Sequence, residues 1–412
     1  MRFRKRIGRA LVAGGVAVLV VLGVGSSPAL ATTGAPTLFP RNASDPWMYP
    51  CFTSSFSGWC VYTSSDLNQG GANAYPMSQT FAYTWDGTGN PGDPSRWVDR
   101  GVALNESQYG GAGGWVAANN NHLWAPNATY GPDFNMYLYV PDTTSDKYSH
   151  VGVSTSATPW GPFTYAKQVT FNGANITNQY MSDPFVFQSM GDHPNYPDPA
   201  RLNTSAHWLY WANGDFDTTS PNIACGGISG ALLDDATMSE IYDNDNNLSN
   251  NELSISGISA ALGTCGSKGR PYLEGPDMYF TNLWGFAFGT NQDRPYMLVM
   301  SAKPAGGTHG TSNQVIAYAS ASNPLGPFTY EGILLDASSS TWTTQASIAV
   351  DSGGPGGAMR FLLIYHDDSG GTNHNRKTYM TCLTFDLSDR KFVPATRPSS
   401  TPDLSQCSAT RP

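Results

Sequence analysis

The chain has 412 residues and a net charge of -9, with charged side chains making up only 13% of it, about half the roughly 25% usual in globular domains. An acidic, sparsely charged chain has little with which to neutralise phosphates, which excludes nucleic acid and anionic membrane surfaces as partners. Its 11 Trp and 21 Tyr suit a neutral, hydroxyl-rich ligand, whose C–H faces flat rings cover while amides and carboxylates bond its hydroxyls.

At the start, Arg2, Arg4, Lys5, Arg6 and Arg9 precede an apolar run over residues 10–24, and Ala29-Leu30-Ala31 follows as a small-x-small cleavage pattern. This is the layout of a secretory signal peptide over residues 1–31. The apolar run is shorter than the roughly 20 residues a membrane-spanning helix needs. The mature chain, residues 32–412, is therefore expected to be secreted, extracellular and monomeric. It carries no Pro/Ser-rich linker, so a single domain is expected. The six cysteines fall into local pairs, Cys51 with Cys60, Cys225 with Cys265 and Cys382 with Cys407. Disulfide staples are the reading they suggest in an exported chain, and no Cys-x-x-Cys spacing supports a metal site.

Beyond residue 31, short aromatic and β-branched runs bounded by Gly, Pro, Asn and Asp replace any sustained helical period, which predicts an all-β protein. A repeat runs through them: a polar or small residue, usually beside Pro, opens a short strand. The openings are Asp45-Pro46-Trp47, Ala125-Pro126-Asn127, Asp183-Pro184-Phe185, Glu274-Gly275-Pro276 and, more loosely, Gln345-Ala346-Ser347. Second strands are predicted at 59–63, 136–140, 207–211, 284–288 and 361–365, and third strands at 80–84, 149–153, 227–231, 314–318 and 378–382. Two fourth-strand entries are near-copies, Thr158-Pro159-Trp160-Gly161-Pro162-Phe163 and Asn323-Pro324-Leu325-Gly326-Pro327-Phe328. Five units of four strands describe a five-bladed β-propeller, with inserted loops at 188–205 and 233–265. The Asp/Asn-rich stretch at 243–251 lacks the ligand spacing of a calcium loop and reads as a solvated loop.

In a propeller the innermost strands gather round the axis, so residues opening them converge at one end. Three openers are acids, Asp45, Asp183 and Glu274. A lone Asp-Pro is an ordinary turn dipeptide, but three acids in register across a repeat share one mouth. Crowded carboxylates push their pKa values apart, leaving one protonated and another ionised, the division of labour that glycoside hydrolysis uses.

The two Ser-Asp-Pro openings, Leu123-Trp124-Ala125-Pro126, Glu274-Gly275-Pro276, the Gly-Pro-Phe strands and Tyr365-His366 together resemble glycoside hydrolase family 43, the arabinanases, α-L-arabinofuranosidases and β-xylosidases. The likeness runs from about Pro40 to Pro394. It implies Asp45 as general base, Asp183 as the residue that orients and tunes the acid, and Glu274 as general acid. It also implies an arabinan, arabinoxylan or xylan substrate and no required cofactor. Trp124 is a candidate sugar wall or a core Trp. Arg376 matches an arginine that in the family reaches substrate, with a solvated Arg as the alternative. Gln345 stands where many relatives place a His near an axial ion, so a structural calcium on the axis is left open, an amide oxygen being able to ligate one. His366 is either a partial substitute for that His or, as a lone His on a strand is more often, a satisfied core residue. The competing readings are a propeller lectin that binds sugar without cleaving it, and a retaining fructoside-type enzyme, whose early Asn-Asp-Pro-Asn opening this chain lacks.

Overall fold

The computed structural model describes residues 37–66, 77–109, 123–143, 149–176, 179–189, 206–213, 225–242, 248–265, 269–290, 292–304, 314–336, 343–354, 357–367, 376–407 and 410–411. The expected signal peptide, most of the 188–205 insert and residues 243–247 of the Asp/Asn-rich stretch lie outside them. Residues 34–412 form one compact unit. No helix among the described residues is long and apolar enough to cross a membrane.

The chain is a five-bladed β-propeller. The first blade is Ala43–Phe52, Ser57–Ser65, Gln79–Trp85 and Val98–Asn105, and the second is Asn127–Tyr130, Met136–Thr143, Ser149–Ser156 and Thr164–Gln168. The third is Ser182–Ser189, Ala206–Ala212, Ile228–Leu233 and Glu240–Tyr242. Tyr272–Phe280, Tyr296–Lys303, Val315–Ala321 and Phe328–Leu335 make the fourth, and Ala346–Asp351, Arg360–Asp367, Lys377–Asp386 and Lys391–Val393 the fifth. Within each blade the strands pair in chain order, and the five opening strands touch one another in a ring. Links between blades protect sheet edges: Thr170–Phe171 runs parallel beside Glu240–Tyr242, and Ile255–Ser256 parallel beside Phe328–Leu335. Covered edges cannot recruit another chain.

One expected strand is corrected. Residues 284–288 are not the second strand of the fourth blade; Tyr296–Lys303 is. The 3-10 turn Thr281–Trp284 ends at Gly285, whose φ of 82° breaks the extended path. The aromatic residues beyond it are buried for another purpose, Phe286 stacking on Phe385 of the fifth blade with ring centroids 3.9 Å apart. Aromatic richness marked burial there, not extension.

The near-copies behave alike. Gly161 and Gly326 adopt φ of 83° and 80°, each before a cis proline, and each turn receives a tyrosine hydroxyl from the preceding blade. Tyr62 donates to the Pro159 carbonyl, and Tyr210 donates to that of Pro324 at 2.8 Å. The three cysteine pairs are bonded as their spacing suggested.

Among the described residues, no strand is shared between the first and last blades. The Leu38 amide donates to the Thr378 carbonyl (2.8 Å) and the Ala43 amide to that of Arg376 (3.1 Å), while the Thr378 hydroxyl donates to the Ala43 carbonyl at 2.9 Å. The C-terminal tail, tied to the last blade by Cys382–Cys407, reaches the first blade. There Asn90 donates to the Pro402 carbonyl at 2.9 Å and accepts from the Leu404 amide at 3.0 Å.

Candidate active site

The acids sit where the opening strands break register. In the first, third and fourth blades the pairing slips between Ser44 and Trp47, Ser182 and Phe185, and Glu274 and Asp277. An extra residue in one strand is a bulge, which re-aims side chains, and the proline supplies no amide for the ladder. The residue before each proline has positive φ: 50° at Asp45, 37° at Ala125, 48° at Asp183 and 58° at Gly275. Such angles are strained for any residue but glycine and concentrate at functional sites. They also correct the expected register. Gly275, not Glu274, is the counterpart of Asp45 and Asp183, and Glu274 stands one residue earlier, level with Ser44 and Ser182. Glycine is required at 275 for a second reason, since a Cβ there would lie 2.6 Å from the Thr344 carbonyl oxygen.

Asp45 is 5% exposed and its neighbours come mostly from the other end of the chain. Its carboxylate lies 3.4 Å from Arg376 Nη1 and accepts from the hydroxyls of Thr344 (3.3 Å) and Ser44 (3.2 Å). Its amide donates to His366 Nδ1 at 2.8 Å, which anchors the left-handed backbone. Burial pushes the Asp45 carboxyl up, but the Arg376 charge and the surrounding donors outweigh it and hold the group below the ordinary range. His366, fully buried, is pushed down to about 3 by burial and by Arg376, so it stays neutral and keeps a lone pair for the Asp45 amide.

Glu274 is partly exposed. Tyr272 donates to its Oε2 at 2.6 Å and Gln314 Nε2 donates to its Oε1 at 2.6 Å. Burial nonetheless raises its pKa to about 7 against those two donors. Asp183 accepts from the Gly275 amide at 3.0 Å, which ties it to the residue after Glu274. Its own pKa is raised well above the ordinary value by burial and by repulsion from Glu274 and Asp45. Asp183 and Glu274 therefore hold on to a proton that Asp45 gives up. The three acids gather at one mouth, and the Thr344–Gly275 contact places the fifth opening between Asp45 and Glu274.

The other candidates fall in different places. Arg376 is no solvated arginine: it is 6% exposed, its Nε and amide both bonded to Asp66 Oδ2 at 3.0 and 2.6 Å and its Nη1 beside Asp45. Trp124, partly exposed, directly precedes the strained Ala125. Gln345 is buried with its Oε1 lacking a hydrogen-bond partner among the described residues. An amide oxygen is a fair ligand for a hard cation, but among the described residues no three His, Cys, Asp or Glu side chains are grouped to hold a metal. Sequence reasoning missed Tyr272, Gln314, Thr344 and Asp66. Gln314 directly precedes the third strand of the fourth blade, a position where a polar side chain at the same mouth could have been suspected.

Neither a protein-family model nor a curated protein sequence matches the chain. Solved structures do match its fold. A GH43_1 enzyme from Xanthomonas citri complexed with xylotriose is 23% identical, with TM-score 0.59 over 91% of this chain and 97% of that one. A GH43 β-xylosidase/α-arabinofuranosidase from a compost microbial metagenome, in a calcium-free complex with xylotriose, is 24% identical, with TM-score 0.58 over 89% and 98%. A β-xylosidase, RS223, is 20% identical, with TM-score 0.56 over 86% and 96%. At this identity the likeness is one of fold.

Proposed function

We propose that this chain is a secreted, inverting glycoside hydrolase of family 43 that cleaves arabinofuranosyl or xylosyl linkages in plant cell-wall polysaccharides. The observation that carries the reading is the opposite displacement of two carboxyls at one mouth, Asp45 held low beside Arg376 and Glu274 raised to about 7. Asp45, ionised, takes a proton from water as the water oxygen attacks the anomeric carbon. Glu274, protonated, gives its proton to the glycosidic oxygen as that bond breaks. Asp183 acts through Glu274 by position: its bond to the Gly275 amide fixes the bulge that aims the acid. A single displacement needs an acid, a base and water, and it inverts the anomeric centre.

Arg376 acts on the base before it acts on any sugar, keeping Asp45 ionised, and Trp124 lines the mouth as an aromatic wall. The fold neighbours bound to xylotriose support an oligosaccharide-sized substrate. Proton NMR of the first product formed from xylan, arabinan and nitrophenyl pentosides tests the reading. The opposite anomer is expected first, followed by mutarotation. Retention would make Asp45 a nucleophile, and no hydrolysis of any of them would leave a sugar-binding propeller.

A further inference from the structure

Gln314 precedes the third strand of the fourth blade, Val315–Ala321, and is only 3% exposed. One end of its carboxamide is spoken for, since Nε2 donates to Glu274 Oε1 at 2.6 Å. The other is not: Oε1 is buried and has no hydrogen-bond partner among the described residues. Folded proteins rarely leave a buried acceptor unmade, and such exceptions call for an explanation. The two ends share one carbon, so a donor that satisfies Oε1 must stand next to the carboxyl of Glu274. A sugar unit at the bond being cleaved brings that donor, a hydroxyl vicinal to the glycosidic oxygen.

We propose that Gln314 is a positioning and substrate-reading residue, holding Glu274 through its amide nitrogen and accepting a sugar hydroxyl at its amide oxygen. The substrate half of this rests on the glycosidase reading above; the Glu274 contact does not. Together with Tyr272, which donates to Oε2 at 2.6 Å, Gln314 puts a donor on each oxygen of the acid. Both donors favour the ionised form and hold back the rise that burial causes. The amide is also suited to both states of an acid that cycles, since it donates to a carboxylate and, turned over, accepts from a carboxylic acid.

The test is Gln314→Met, which keeps the length and volume of the side chain and removes both polar ends. Three readouts separate the role from a merely structural one. KM for an unmodified pentose disaccharide is expected to rise roughly tenfold, the cost of one lost hydrogen bond to a buried acceptor. The titration of Glu274, followed by NMR of its labelled carboxyl, is expected to move to higher pH because a donor to the ionised form is gone. The melting temperature is expected to hold, because the variant removes the orphaned amide oxygen while the Glu274 oxygen that loses its donor belongs to a partly exposed side chain. An unchanged KM would remove the substrate contact, an unchanged titration would remove the hold on Glu274, and a lowered melting temperature would make Gln314 a packing residue. Failure of the wild-type protein to cleave any pentoside would remove the glycosidase reading instead, and the titration would still decide the Glu274 contact.

Discussion

Asp45 and Glu274 differ less in their burial than in their company. Asp45 has a guanidinium and hydroxyl donors, and Glu274 has two neutral donors and an acidic neighbour, so the same carboxyl chemistry is set to opposite protonation states. Replacing Glu274 with Gln preserves shape but removes the deliverable proton. Hydrolysis of natural glycosides should fall by roughly 100-fold or more, and cleavage of nitrophenyl pentosides, whose leaving group needs little protonation, should fall less. Equal losses on both substrates would contradict the assignment. The rate also needs Glu274 protonated, so kcat/KM should decline about tenfold per pH unit above about 7, while Asp45, held low, confines the acid limb to pH below the ordinary carboxylate range. The same group bears on stability. The native protein binds the Glu274 proton more tightly than the unfolded chain does, so this contribution is complete below the unfolded value near 4.3 and is lost as pH rises through about 7. Melting curves of Glu274→Gln should lack that part of the decline between about pH 4 and 7.

At the scale of the element, the bulge at the head of an opening strand is the device on which the site depends. Gly275→Ala tests it. The added Cβ meets the Thr344 carbonyl at 2.6 Å in a backbone of φ 58°, and Thr344 is itself a donor to Asp45, so one methyl disturbs acid and base together. Activity should drop more than roughly tenfold, with the circular dichroism of the folded state retained, since strain of this kind costs about 1 to 3 kcal/mol; unaltered kcat/KM would argue against the bulge as the positioning device. The X-Pro openings made this element legible in the sequence, because proline and the residue before it constrain the backbone locally. The five units and the three acids could be read for the same reason, and the cysteine pairs from their even number and local spacing. The offset of Glu274 was also legible, as an acid two residues before its proline instead of one, but only the positive φ of Gly275 shows which residue is the counterpart of Asp45. The true second strand of the fourth blade could not be read, because Phe286 and Phe288 owe their apolar character to a neighbouring blade. Thr344, His366 and Asp66 join the site through contacts hundreds of residues long, which no local pattern encodes.

For the whole molecule, the seam between first and last blades is held by hydrogen bonds and by a tail that a single disulfide ties down. Removing that tie, as in a Cys382→Ser, Cys407→Ser pair, frees a loop of 25 residues and should cost about 3 to 4 kcal/mol by loop-closure entropy. A calorimetric melt would detect it, and an unshifted melting temperature would mean the tail stays seated without the bond. The seam has a further consequence in time. The Asp45 amide is held by a residue 321 positions later and its carboxylate by one 331 positions later. As the chain emerges from the ribosome, Asp45, the base of the proposed mechanism, is made long before the residues that complete its surroundings. A nascent chain carrying four finished blades still lacks the imidazole and guanidinium that shape Asp45, so on the proposed mechanism it would not hydrolyse a glycoside. On that mechanism, competence waits for the fifth blade to meet the first.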